Sequence, residues 1–146
     1  MYKILNTNYT NIPKEDEEQK ALVNYLRKNG YFVFATNNEN NTYQQNRKYA
    51  MIAEVKAKAN GKVKGVSDLC VFTDDRIVFI ELKRQRPILK SEKLGTPKNK
   101  PTKEQLDFID EISLYNYATG SVAYGCDEAI EKFNKIVRLN TNMQNT

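Results

Sequence analysis

The chain contains no histidine. That removes histidine-activated nucleophiles, a histidine general base and mixed histidine–cysteine zinc sites from the available chemistry. Any hydrolysis here has to run on carboxylates, lysine and a divalent metal. Two cysteines, Cys70 and Cys126, are too few for a disulfide framework. Both have apolar neighbours, as reduced thiols of a cytosolic interior do. No run approaches the ~18 consecutive apolar residues of a membrane span. The opening residues, Met1 to Asn6, turn polar too soon for a secretory signal peptide, so a cytoplasmic location is expected.

What remains fits one domain of 146 residues, large enough to bury a core. The net charge of +5 is ordinary, but its distribution is not. From Lys83 to Lys103 stand eight cations (Lys83, Arg84, Arg86, Lys90, Lys93, Lys98, Lys100, Lys103) and one acid, Glu92. These residues, with Lys64 upstream, are candidate contacts for a polyanion such as DNA, adding salt-dependent affinity by counterion release. A solvated loop accounts for the same pattern.

Eight elements are expected. An acidic start from Lys14 to Glu18, followed by Leu22, Val23, Tyr25 and Leu26, predicts an amphipathic helix closing at Asn29-Gly30. Tyr31 to Ala35 reads as a strand, and Asn37 to Asn46 as an Asn/Gln-rich loop that could touch DNA or be plain connection. Arg47 to Ala59 follows as a helix ending before Asn60-Gly61. Val66–Phe72 and Ile77–Lys83 form a hairpin around the turn at residues 73–76. Three of the four prolines (Pro87, Pro97, Pro101) then argue against regular structure. Thr102 with Gln105 has capping-box spacing, opening a helix whose apolar face is Leu106, Ile109, Ile112 and Leu114. Ser121–Tyr124 reads as a strand and Asp127–Val137 as a last helix. The Asn/Thr-rich residues from Asn140 suggest disorder. Tyr43, Tyr49, Tyr115 and Tyr117 could stack on unpaired bases, though packing is the expected use of most of the nine tyrosines. Helices and strands in this order predict an α/β sandwich with a central sheet.

The segment that carries chemistry is Ile77 to Lys83. Side chains alternate along a strand, so Glu81 and Lys83 share the face of Ile77 and Phe79. Asp68 lies near the start of the partner strand, and an antiparallel hairpin brings it toward Glu81. Two carboxylates at a sheet margin can hold Mg²⁺, with Mn²⁺ as substitute, and the Leu82 carbonyl can add a third oxygen. Such a metal activates water and neutralises charge on a phosphate, while Lys83 orients the water or stabilises the transition state. On spacing alone, a surface aspartate and an ordinary Glu–Lys strand end remain an equal alternative.

Asp68, then Glu81-x-Lys83, resembles the signature of the PD-(D/E)XK nucleases, and more closely their virus-type replication-repair branch, the VRR-Nuc domain. Gly61 to Leu69 resembles the glycine-flanked approach to the family's aspartate, and Phe79 to Lys83 its strand motif. Thr102 to Gln105 is similar to its (S/T)xxQ helix opening, and Gly125 to Ile130 to its closing strand-to-helix step. Glu15 with Gln19 is similar to its N-terminal helix signature. The likeness spans roughly residues 13–137. It implies a restriction-endonuclease-like core, a central mixed sheet flanked by helices, over residues 13–138. Residues 1–12 are then a lead-in and 139–146 a disordered tail.

The resemblance further implies Asp68 and Glu81 as metal ligands, Lys83 as the catalytic lysine, and Glu15 acting on the metal through water. Glu17 and Glu18 stay open as alternatives one register away. Gln105 would orient Lys83 or contact phosphate, against the plainer role of an exposed helix residue. Ser67 departs from the proline usual before the aspartate, and the segment from Lys83 to Thr102 is longer than usual. The activity implied is a metal-dependent endonuclease on branched DNA, of the Holliday-junction-resolvase kind, acting as a homodimer in a bacterial or phage-infected cytoplasm. A monomeric flap or nicking nuclease, a non-catalytic DNA-binding module on the same fold, and an interaction module of a mobile element are the rivals.

Overall fold

The computed structural model describes residues 12–36 and 46–144. The lead-in through residue 11, most of the Asn-rich loop (with Tyr43) and residues 145–146 lie outside the described residues. The order is α1 (Glu15–Lys28), β1 (Phe32–Ala35), α2 (Arg47–Ala59), β2 (Leu69–Phe72), β3 (Ile77–Lys83), α3 (Lys103–Ile112), β4 (Ala118–Tyr124) and α4 (Cys126–Gln144).

The four strands form one sheet in chain order. β1 runs antiparallel to β2 and β2 to β3, whereas β3 and β4 are parallel. A parallel pair needs a crossover, and α3 provides it. The β2–β3 hairpin closes through Thr73, whose backbone N–H donates to the Arg76 carbonyl at 2.9 Å.

Alternation along the strands gives the sheet two unlike faces. On one, Val33, Leu69, Val71, Val78, Ile80, Leu82 and Ala123 pack with Leu22 and Leu26 of α1 and Ala129 and Phe133 of α4, forming the core. On the other, α3 covers the β3–β4 half, with Phe108 edge-on to Phe79 at 5.2 Å between ring centroids. Among the described residues no element covers the β1–β2 half of that face, and Phe32, Phe34 and Phe72 cluster there, exposed. Both cysteines are buried and free. No helix of the described residues is long and apolar enough to cross a membrane.

Three sequence-based boundaries and two expectations of packing need correction. β2 begins at Leu69, not Val66, because the backbone there leaves the ladder to bring Asp68 to the sheet end. β4 begins at Ala118, not Ser121; its small first residues pair with Ile77, Val78 and Phe79 through backbone alone, which hydrophobic patterning does not register. α4 continues past Val137 to Gln144 where a disordered tail was expected, its polar residues needing only the i−4 ladder, and Thr141 Oγ1 donates to the Val137 carbonyl at 3.1 Å. Leu106 and Leu114 are exposed rather than part of the α3 seam, since Phe108 takes the contact with the sheet. Tyr49, Tyr115 and Tyr117 are likewise exposed instead of packed.

Candidate active site

The site forms where three element ends meet at one margin of the sheet: the start of β2, the end of β3 and the start of α1. In the hairpin Leu69 faces Ile80, so one further step of the same register sets Asp68 opposite Glu81. Asp68 Oδ2 accepts a hydrogen bond from the Leu82 N–H at 2.8 Å. Behind it, the Thr36 N–H donates to the Asp68 carbonyl at 3.0 Å and Thr36 Oγ1 to the Ser67 carbonyl at 2.6 Å. The aspartate is therefore held by backbone on both sides.

Glu81 is 1 % exposed. Its Oε1 lies 2.8 Å from Lys83 Nζ, as strand parity requires, and Lys83 is itself 8 % exposed. The second oxygen, Oε2, is buried and has no partner. Burial pushes the Glu81 carboxyl up to about 7; the Lys83 hydrogen bond opposes the rise, and the charges of Asp68 and Glu15 add to it. Asp68 is raised first by burial, against the Leu82 N–H, Lys83 and a side-chain hydrogen bond to Glu81. Glu15 is also raised by burial, with Lys83 and the Arg84 N–H opposing and Asp68 contributing. All three acids feel the lysine, and Glu81 feels both of the others. A buried carboxylate with an empty lone-pair side among like charges is what a cation would relieve. Among the described residues no three acidic, cysteine or histidine side chains converge as a closed ligand set. The donors fit a hard ion that keeps several waters, as Mg²⁺ does, and not an all-protein cage.

Of the three acids left open in α1, Glu15 is the one that senses Asp68 and Lys83. Glu17 is exposed and accepts from the Lys14 N–H at 3.2 Å. Glu18 points elsewhere: it is 7 % exposed and accepts from the backbone N–H groups of Gln85 and Cys126 at 3.3 and 3.4 Å. Gln105 spends its side-chain oxygen on the capping box, accepting from the Thr102 N–H at 2.8 Å, while Thr102 Oγ1 accepts from the Gln105 N–H at 3.2 Å. The start of α3 still reaches the approach to Asp68, because Gly65 (φ +79°) lies against it; a Cβ there would sit 2.2 Å from the Glu104 carbonyl oxygen. Only glycine allows that contact and that φ together.

The basic candidates divide. Arg84 is engaged, its guanidinium donating to the carbonyls of Ile12 and Pro13 at 2.7 and 3.1 Å, so it holds the entry to α1. Arg86 lies over the Tyr124 ring at 4.6 Å. Lys64 pairs with Glu54, and Lys103 with Asp107. Lys90, Lys93, Lys98 and Lys100 stand exposed on a connection ordered by one isolated bridge, Ile88 with Leu94. Sequence reasoning missed Thr36, which no local pattern marks, and the separate use of Glu18.

A solved protein described as a VRR_NUC domain protein superposes on this chain with a TM-score of 0.60, at 17% identity, covering 87% of this chain and 90% of that one. The chain has the VRR-Nuc fold. No family model and no curated protein matches it by sequence. The shared fold is a restriction-endonuclease-like α/β core, and it agrees with the resemblance read from the motifs.

Proposed function

We propose that the protein is a Mg²⁺- or Mn²⁺-dependent DNA endonuclease that hydrolyses phosphodiester bonds at branched DNA. The observation that carries this reading is the buried Glu81–Lys83 pair set opposite Asp68, with Glu81 Oε2 left without a partner. Asp68, Glu81 and the Leu82 carbonyl would hold the metal, with Glu15 acting through water. When bound, the metal supplies Lewis acidity for hydrolysis and neutralises phosphate charge. Lys83 is fixed by Glu81 on the same strand face, so its ammonium is preorganised to stabilise charge on the phosphate oxygens as the bond breaks. Burial of Glu81 strengthens those interactions by excluding water. The exposed lysines between Lys90 and Lys100 would meet flanking backbone phosphates. Gln105, at the start of α3, would contact phosphate once its cap is exchanged.

Cutting two strands related by symmetry calls for two active sites, and hence a two-fold dimer. Exposed apolar side chains support it: Phe32, Phe34 and Phe72 cluster on the sheet, and Met51, Ile52 and Val55 stand exposed along α2. Among the described residues β1 is also an edge strand, with one side of its backbone available for pairing.

The test is cleavage of labelled four-way junction, flap and linear duplex with Mg²⁺, with Mn²⁺ and with EDTA. Metal-dependent cutting lost in Lys83→Ala is expected. Binding without cutting in every condition would leave a non-catalytic module and overturn the enzyme. Symmetric incisions across the junction support a resolvase; single-strand cuts by a monomer point to a flap or nicking nuclease.

A further inference from the structure

Glu18 is a carboxylate in an expensive place. It is nearly fully buried in α1, and among the described residues it forms no ion pair, Arg84 acting on it only at a distance. Its two oxygens go instead to two backbone amides from different elements: Oε2 accepts from Gln85, two residues past Lys83, and Oε1 from Cys126, the first residue of α4. Placing a negative charge on an α4 first-turn N–H also suits the helix dipole. Between these two amides sits Gly125 (φ +92°), whose own N–H donates to the Lys83 carbonyl at 2.8 Å. A Cβ at Gly125 would stand 2.9 Å from Glu18 Oε1, so the glycine leaves room for the carboxylate.

Glu15 lies three residues earlier, on the same side of the helix, and interacts with the N–H of Arg84, the residue before Gln85. Two carboxylates one turn apart therefore face two successive amides at the exit of β3, and Glu18 accepts from the second of them. The inner one also grips α4, and the outer one faces Asp68 and Lys83. Arg84 closes the arrangement by donating to the Ile12 and Pro13 carbonyls ahead of α1.

We infer that Glu18 is a positioning residue for the metal site: by bridging Gln85 and Cys126 it sets the depth and rotation of α1, and so aims Glu15 at Asp68 and Lys83. This rests on the metal-dependent reading of the site. A glutamine at 18 keeps the shape but supplies one acceptor for two N–H groups, leaving the other facing an amide donor.

Mn²⁺ affinity of the full chain, read by electron paramagnetic resonance well below the melting temperature, tests this without catalysis. Glu18→Gln is expected to weaken Mn²⁺ binding about tenfold, Glu15→Gln by a similar factor, and the double variant no more than Glu15→Gln alone. Glu17→Gln is expected to bind as the unaltered protein does. Leu22→Ala, a core variant on the same helix, controls for lost stability. The inference falls if Glu18→Gln binds Mn²⁺ within twofold of the unaltered chain, if the two losses simply add, or if Leu22→Ala weakens binding as much. Should Glu18→Gln fail to fold, Gly125→Ala crowds the same carboxylate and carries the same expectation. An unaltered protein that binds no Mn²⁺ overturns the metal site and this inference together. Normal binding with an indifferent Glu18 overturns the inference alone.

Discussion

α1 and α2 are nearly the same length, 14 and 13 residues, and both look amphipathic in sequence. α1 buries Leu22, Leu26 and Glu18 and reaches three strands or helices through them. α2 buries nothing, and its large apolar residues Met51, Ile52 and Val55 face outward. An isolated helix of this length is marginal in water; α1 draws its stability from this chain, whereas among the described residues nothing buries α2. The helix locked into the core carries the acid that faces Asp68 and Lys83, and the exposed helix is the one the proposed dimer would use.

The contrast breaks most sharply in the core. Leu22→Ala is expected to cost about 2–5 kcal/mol, since Leu22 is fully buried, whereas Ile52→Ala should stay within about 0.5 kcal/mol at concentrations where the protein is monomeric. Parallel urea titrations compare the two.

The sheet margin that the start of α1 faces adds a pH dependence through Glu81 of β3. Glu81 is raised from its usual 4.5 to about 7 in the fold, so the folded state binds more protons than the unfolded chain between those values. Stability of the metal-free protein is then fully present below pH 4.5 and falls as pH rises toward 7, by up to about 3 kcal/mol. Asp68 and Glu15, also raised, act in the same direction. Thermal melts in EDTA should show that decline, Mg²⁺ or Mn²⁺ should reverse it near pH 7, and Glu81→Gln should flatten it.

On α2 the corresponding experiment changes mass rather than melting. Ile52→Glu with Val55→Glu is expected to shift a two-fold dimer to monomer by sedimentation, with monomer stability little affected and single-strand nicking retained. The smallest effect is expected at Ser67, on the return from α2. Its hydroxyl is fully buried without a partner, so Ser67→Ala should be neutral or slightly stabilising by urea titration.

Much of this was legible in the residues. The alternation from Ile77 to Lys83, the turn at 73–76 and the acidic opening of α1 are local signals, and each has its element in the structure. The facing of Asp68 and Glu81 follows from hairpin register, which the turn position determines. Gln105 shows where local reading stops: one spacing, Thr102 to Gln105, serves both a capping box and a candidate phosphate contact, and in the structure it forms the cap. β4 was half hidden because small residues pair through backbone, which composition does not reveal.

The grouping of two carboxylates and a lysine at one sheet margin, in a chain without histidine, was determined by sequence alone, because strand parity and hairpin register are local geometry. Which acid of α1 serves the site was not. Glu15, Glu17 and Glu18 are chemically near-equivalent in sequence, and only the packing of α1 against the ends of β3 and α4 turns one toward Lys83, one into water and one onto buried backbone. The Asp68–Glu81–Lys83 cluster is thus a product of local order, while its helix-borne member depends on contacts between residues about 70 to 110 positions apart, which no local spacing encodes.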